Sequence, residues 1–286
     1  MELDFLRYLE SMRTEVLLKL FEAITLLGEE IILVLLIVVI YFTMDKKLGR
    51  KIFLIAVTSG CINSVVKNFV KRPRPFMVGD ITPVRVETAT GYSFPSGHTQ
   101  NFASWSTVIW TKYKKTWIGI LALTVTILIA FSRMFLGVHY PSDVLAGALL
   151  GIGIALFLNY VSDQLNDDKK LLLIIIICLL PFAIFYLANP DPEYEDFFKL
   201  YPMLPGFLLG MKVEEHFAPL QYDVTVWKKI LRVIIGVVSA LVVKEGLKLP
   251  LDLGLTGELL LDAFRYFAMV FVIIGLCPIL FKKIKL

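Results

Sequence analysis

A chain of 286 residues has room for one or two soluble domains. Its composition excludes them: 57% of residues are hydrophobic, only 19% are charged, and the mean hydropathy is +0.73. The net charge of +4 is mild and its basic residues cluster between apolar runs, so they speak to membrane topology and not to a nucleic-acid partner.

The apolar residues are blocked into runs such as Ile31 to Met44 and Leu171 to Ala188. A helical span needs ~20 mostly apolar residues. The expected fold is therefore all-α, a polytopic integral membrane helical bundle. The three cysteines, Cys61, Cys178 and Cys277, each sit inside an apolar run. Their spacing fits neither zinc nor a disulfide framework, and they are expected to pack. The N-terminus starts acidic and lacks the order of a cleavable signal.

Residues 3–27 repeat apolar side chains every three or four positions, from Phe5 and Leu9 to Ile24 and Leu27, with Asp4, Arg7, Glu10 and Arg13 on other faces. This is too charged to span, and predicts an amphipathic helix lying in the interface over 1–28. Nine spans are expected after it: Ile31–Met44, Lys51–Phe69, His98–Trp110, Trp117–Phe131, Val144–Val161, Leu171–Ala188, Phe198–Met211, Ile230–Val243 and Leu259–Leu280. The seventh is interrupted by Pro202, Pro205 and Gly206, which predicts a re-entrant or broken helix. In the fifth, Gly147 and Gly151 permit close helix approach.

Lys46, Lys47, Arg50 and Lys51 form one basic loop, and Lys112, Lys114 and Lys115 another on the same side. With nine spans, the later basic clusters fall there too, which makes that side cytoplasmic. The opposite side carries Asp191, Glu193, Glu195 and Asp196, and also Arg74, His98, Arg133 and His139. Cations on that side break the positive-inside pattern, so they are expected to have another task, at a site facing away from the cytoplasm.

Three short clusters carry the chemistry. The first is Lys67, six residues, then Arg74-Pro75; the second is Pro95-Ser96-Gly97-His98; the third is Ser132-Arg133, five residues, His139, three residues, Asp143. Lys67, Arg74 and Arg133 would bring three positive charges to one place, whereas a phosphomonoester carries ~−1.5 to −2 charges at neutral pH. Arginine's planar fork suits phosphate oxygens, and lysine adds a point charge. Ser96-Gly97 precedes a predicted helix, so its N–H groups and the helix dipole would make an anion site. The bland alternatives are a plain helix start at Ser96-Gly97, Asp143 complementing a helix dipole with Pro141 at its start, and Lys67 and Arg74 reaching up to headgroups.

In this order and spacing the three clusters resemble the signature of the type-2 phosphatidic acid phosphatase superfamily, which also includes glucose-6-phosphatase and the vanadium haloperoxidases. Every signature position matches, and the resemblance covers roughly residues 15–162. It implies a phosphatase core of about five spans over 29–165, with 166–286 as a C-terminal extension of about four more. It implies that His139 is a nucleophile forming a phosphohistidine, that Asp143 accepts a hydrogen bond from its other ring nitrogen, and that His98 is the general acid. Lys67, Arg74, Ser96, Gly97 and Arg133 would hold the phosphoryl group.

His139 and Asp143 also have metal-ligand spacing. Nearby Lys and Arg disfavour a divalent cation, and no further His or Cys is at hand, so metal-independent chemistry with no cofactor is expected. Lys71, Arg72 and Arg85 read as headgroup contacts or solvated charge, and His216, beside Glu214 and Glu215, as structural.

The expected function is hydrolysis of a lipid phosphate or diphosphate, with membrane lipids as the surroundings, in what the compact loops suggest is a bacterial cytoplasmic membrane. Three alternatives stay open: a lipid phosphotransferase, a hydrolase of a soluble phosphate ester like glucose-6-phosphatase, and a catalytically silent lipid-binding or transport protein.

Overall fold

The structure is a computed structural model that describes residues 1–248 and 253–286. Every regular element among the described residues is helical. The helices are α1 (Glu2–Ser11), α2 (Glu15–Thr25), α3 (Glu30–Thr43), α4 (Lys46–Val70), α5 (Pro75–Val78), α6 (Gly97–Tyr113), α7 (Thr116–Phe135), α8 (Pro141–Leu165), α9 (Asp168–Ala188), α10 (Glu195–Leu200), α11 (Met203–Phe217), α12 (Val226–Gly246), α13 (Gly254–Phe271) and α14 (Cys277–Lys283).

The chain divides into two compact units: residues 1–33 with 62–160, and residues 34–61 with 161–286. In the first, two helices stand where one amphipathic helix is expected over 1–28. The chain breaks between them because Thr14 caps α2, accepting from Leu17 N at 3.3 Å. The intervening Arg13 donates to the carbonyls of Phe135 and Thr82. Leu6 and Leu9 of α1 are buried with Ile81, Phe135 and Tyr140, and the ring of Phe21 of α2 packs at a tilt against Phe131 and Phe135.

Close backbone approaches set α6. A β-carbon on Gly147 would lie 2.6 Å from Ser96 O, and one on Gly151 would lie 2.5 Å from Gln100 O. The spacing read as a packing motif thus seats α8 on the first turns of α6. On another flank, a β-carbon on Gly28 would lie 2.9 Å from His98 Cβ, and Asn101 donates to Gly28 O at 3.1 Å.

In the second unit, α10 and α11 stand over Phe198–Met211, where a re-entrant or broken helix is expected, with the break at Tyr201 and Pro202. Gly206 of α11 meets the backbone of Phe267, and Phe53 stacks on Phe207 with centroids 3.9 Å apart. One end carries a dense ion-pair cluster, in which fully buried Glu214 meets Lys46 and Glu215 meets Arg50 and Lys169. Cys61 and Cys277 are buried, whereas Cys178 is exposed on α9 and does not pack as expected.

Among the described residues, five helical stretches are long and apolar enough to cross a membrane: Lys46–Val78, Thr116–Phe135, Pro141–Leu165, Asp168–Ala188 and Gly254–Lys283. A sixth counts if Glu15–Gly28 and Glu30–Thr43, bent by 48°, act together. Nine were expected from apolar runs alone. The shortfall has a geometric cause: α3, α6 and α11 have 14, 17 and 15 residues, and at ~1.5 Å per residue they fall short of a ~30 Å hydrocarbon layer. The remaining one, α12, is long enough but carries Lys228, Lys229, Arg232, Lys244 and Glu245.

Candidate active site

The expected site residues all lie in the first unit, at helix ends or in the loops joining them. Lys67 is in the last turn of α4, Arg133 in the last turn of α7, and Ser96 caps α6. Gly97 and Pro141 open α6 and α8 as expected. Arg74 precedes α5 within the long irregular stretch 71–96, and His139 lies between α7 and α8. Apart from α5 and a 3-10 turn at Val86–Thr88, the stretch 71–96 is irregular, and long connections of that kind in a compact unit tend to carry function.

This stretch is tied down at several points. Ser93 N donates to Arg72 O at 2.8 Å and Val84 N to Leu136 O at 2.9 Å. Thr82 N donates to Glu10 at 2.9 Å, and Arg85 pairs with Glu29 at 2.8 Å. Its carbonyls then orient the cations. Lys67 Nζ donates to Thr90 O at 3.1 Å, and Arg74 donates to the same oxygen. Arg74 Nε donates to Gly91 O and its Nη1 to Val138 O, both at 2.9 Å. Arg133 Nη1 donates to the hydroxyls of Thr25 and Thr88, each at 3.1 Å.

Lys67, Arg74 and Arg133 are all buried, Arg133 completely. Reaching up to headgroups does not fit that burial. Three buried cations brought to one place repel one another, and an anion would offset that repulsion.

The histidine sits among them. Arg74 Nη1 lies 3.3 Å from His139 Nε2, and His139 Nδ1 lies 3.4 Å from Asp143 Oδ2. The latter is long for a hydrogen bond. Asp143 is fully buried and well supplied with donors: Ser93 Oγ and Tyr140 N on Oδ2, Arg72 Nη1 on Oδ1. Burial, then Arg74, Arg133 and Lys67, push His139 well below the usual imidazole range. His139 therefore stays neutral at physiological pH.

His98 lies within electrostatic reach of Arg133, His139, Lys67 and Arg74. Its Nε2 is buried without a hydrogen-bond partner among the described residues, as is Arg133 Nε. Native structures leave few such atoms orphaned. Asn63 donates to Gln100 Oε1 at 2.7 Å and to Pro95 O at 3.4 Å, fixing the turn before α6. Ser96 N is committed to Asp143 O at 3.0 Å. That N–H is not free for an anion, so the helix start offers donors only from Gly97 onward.

All eight expected residues are thus brought into one neighbourhood. Arg72 and Arg85, read as headgroup contacts or solvated charge, are instead paired with Glu2 and Asp143 and with Glu29. Sequence reasoning also missed Thr25, Thr88, Thr90 and Ser93, whose contributions are hydroxyls or backbone carbonyls without a motif. Among the described residues, no three of His, Cys, Asp and Glu converge as a metal site would require.

The sequence model of the PAP2 superfamily matches residues 49–167, and that of the PAP2 superfamily phosphatase transmembrane extension matches 198–286. An undecaprenyl-diphosphatase of Sulfolobus acidocaldarius is 31% identical over 130 residues, covering 46% of this chain and 62% of the relative. Phosphatidylglycerophosphatase B of Bacillus subtilis is 35% identical over 143 residues, covering 45% of this chain and 67% of the relative. The crystal structure of LpxE from Aquifex aeolicus is 26% identical, covers 55% of this chain and 93% of that chain, and superposes with a TM-score of 0.49. With the matched segment holding all three clusters, the chain is an integral membrane protein that belongs to the PAP2 superfamily.

Proposed function

We propose that this chain hydrolyses a lipid phosphate or diphosphate at the non-cytoplasmic face of its membrane, through a phosphohistidine on His139. The observation that carries the reading is the convergence of Lys67, Arg74 and Arg133 on a neutral, aspartate-paired histidine. The relatives are named for undecaprenyl diphosphate and phosphatidylglycerophosphate, each a phosphate on a membrane-bound lipid.

The chemistry follows from the atoms. His139 Nε2 carries the lone pair and Nδ1 the proton, which points to Asp143. Binding of the phosphate anion beside His98 favours a proton there; as Nε2 of His139 attacks phosphorus, the ester P–O bond breaks and the leaving oxygen takes that proton, leaving His98 neutral. Positive charge growing on His139 is stabilised by Asp143, and charge on the equatorial oxygens by Lys67, Arg74, Arg133 and the N-terminal turn of α6. Arg74, 3.3 Å from Nε2, is placed to meet the phosphoryl group as it arrives. Water then attacks the phosphohistidine and gives its proton to His98. The N–P bond breaks, phosphate leaves, and both histidines are restored.

Sidedness rests on the turn between α6 and α7. Both helices present their site ends at Gly97 and Arg133, so Lys112, Lys114 and Lys115 stand at the opposite end. Lysines cluster in cytoplasmic loops, which supports a site on the outer side. A bacterial cytoplasmic membrane fits the compact loops.

The test is phosphate release by the purified chain in detergent, with chelator present, from a panel of lipid and sugar phosphates. Metal-free turnover of a lipid phosphate is expected, with an acid-labile phosphoenzyme. His139→Ala should lose both, with a rate loss of at least ~10³-fold, in line with removal of an activated nucleophile. Turnover that survives His139→Ala would sink the proposed nucleophile.

A further inference from the structure

Within the hydrolase reading just given, we propose that Arg72, held by Glu2, is a positioning residue for the Asp143–His139 pair, so that helix α1 helps set the nucleophile. Neither residue belongs to the three clusters that mark the site.

Arg72 bridges three partners at short range. Its Nη1 donates to Asp143 Oδ1 at 2.8 Å and to Ser142 Oγ at 2.6 Å, and its Nη2 donates to Glu2 Oε2 at 2.6 Å. The guanidinium lies 3.8 Å from the centroid of the Tyr140 ring, which fixes its plane. Glu2 in turn accepts from Ser142 N at 3.0 Å and Ser142 Oγ at 2.7 Å. It therefore supplies a carboxylate to the first turn of α8, where the helix dipole favours one. Every residue from Tyr140 to Asp143 except Pro141 is gripped by this pair.

The grip matters because of what the other carboxylate oxygen does. Asp143 Oδ2 takes His139 Nδ1, Tyr140 N and Ser93 Oγ. With Oδ1 held by Arg72 Nη1, and the guanidinium itself held at Nη2 by Glu2, the carboxylate resists turning about its Cβ–Cγ bond and Oδ2 is kept towards the imidazole. Arg72 also offsets part of the Asp143 charge. Around the pair stand Arg74, Lys67, His98 and Arg133 on the phosphate side, and Arg72 and Glu2 on the other. Taking away the Arg72 charge leaves Asp143 more negative towards His139. Imidazolium is then favoured and the nucleophilic lone pair is protonated over a wider range.

The alternative is that Arg72 only staples α1 to the chain before α5. The full-length protein in detergent separates the two, using Arg72→Met, Arg72→Lys and Glu2→Gln. Hydrolysis of dioctanoyl phosphatidate is followed against pH, and imidazole NMR titrations are read from the three histidines, with His139 assigned by His139→Ala. For Arg72→Met, kcat should fall by about 10²-fold, the order expected for a misplaced reacting group. KM should change little, the acid limb should move up in pH, and the His139 titration should move up with it. Arg72→Lys should restore the limb but only part of kcat, and Glu2→Gln should shift both in the same direction by less. A folded Arg72→Met with wild-type kcat and an unmoved His139 titration would overturn the proposal. So would an activity loss that only tracks lost folded protein while the titration stays put. If the wild-type chain releases phosphate from no lipid phosphate or diphosphate of the panel but His139 still shifts in Arg72→Met, the hydrolase reading fails and the positioning role stands.

Discussion

The nucleophilic role proposed for His139 requires one bare ring nitrogen, and its surroundings bear on that in two ways. Asp143 Oδ2, 3.4 Å away, faces Nδ1 and favours the proton there, while burial and the flanking Arg74, Arg133 and Lys67 oppose a second proton. The sign of the pH effect follows. An unfolded imidazole titrates near ~6.5 and the folded one well below it. Between the two, the unfolded chain binds more protons, so stability is full above ~6.5 and declines as pH falls through that window. Melting temperature should therefore drop on acidification, more steeply in the wild type than in His139→Gln. At the same scale, Thr25→Val removes one of the hydroxyls on Arg133. Losing one such bond to a charged group costs ~1.5–3 kcal/mol, so phosphate-dependent stabilisation should weaken while the His139 titration stays where it was. The charged residues and histidines that the fold brings together were legible because the proposed chemistry demands those side chains at that spacing. The carbonyls of Thr90, Gly91 and Val138 were not, because any residue supplies a carbonyl. Arg72 was misread because only the folded chain brings Glu2 to it across 70 positions.

Helix packing, more than helix propensity, decides where these groups stand. Gly147 and Gly151 let α8 rest on the backbone of α6, and Ser96 N reaches Asp143 O across that seam. Gly147→Val should cost about 1–3 kcal/mol through overpacking and lower kcat along with melting temperature. Gly153 on the same helix meets nothing within 4 Å. Gly153→Ala should be neutral or stabilising by up to ~1 kcal/mol, because alanine is the better helix former. Thermal melts in one detergent compare the two. The glycine pair was readable as a packing motif, and Pro202 announced the break between α10 and α11. The interruption at Met12 to Thr14 was not readable. The apolar repeat runs through it, and tertiary bonds from Arg13 to Phe135 and Thr82 override the local pattern.

For the whole molecule, composition alone was enough to give a helical membrane protein, but apolar runs gave nine spans where, among the described residues, five or six helical stretches are long and apolar enough to cross. A run records hydrophobicity and not whether a helix is long enough, or free enough of charge, to cross. Sidedness can be measured in a chain with Cys61, Cys178 and Cys277 replaced. An impermeant maleimide should label Asp80→Cys from outside intact cells and Lys114→Cys only after permeabilisation, and labelling of Asp80→Cys from the cytosol alone would invert the topology. The glycine contacts carry a last implication. Gly28 presses on His98 from one flank, and Gly147 and Gly151 press on Ser96 and Gln100 from another. Both crevices beside the entrance of α6 are shut by main chain, too tight for a hydrocarbon tail. If the substrate is the lipid proposed above, its tails leave by some other portal, and the side chains along that exit, not the cation cluster, would choose between one acyl or prenyl chain and the next.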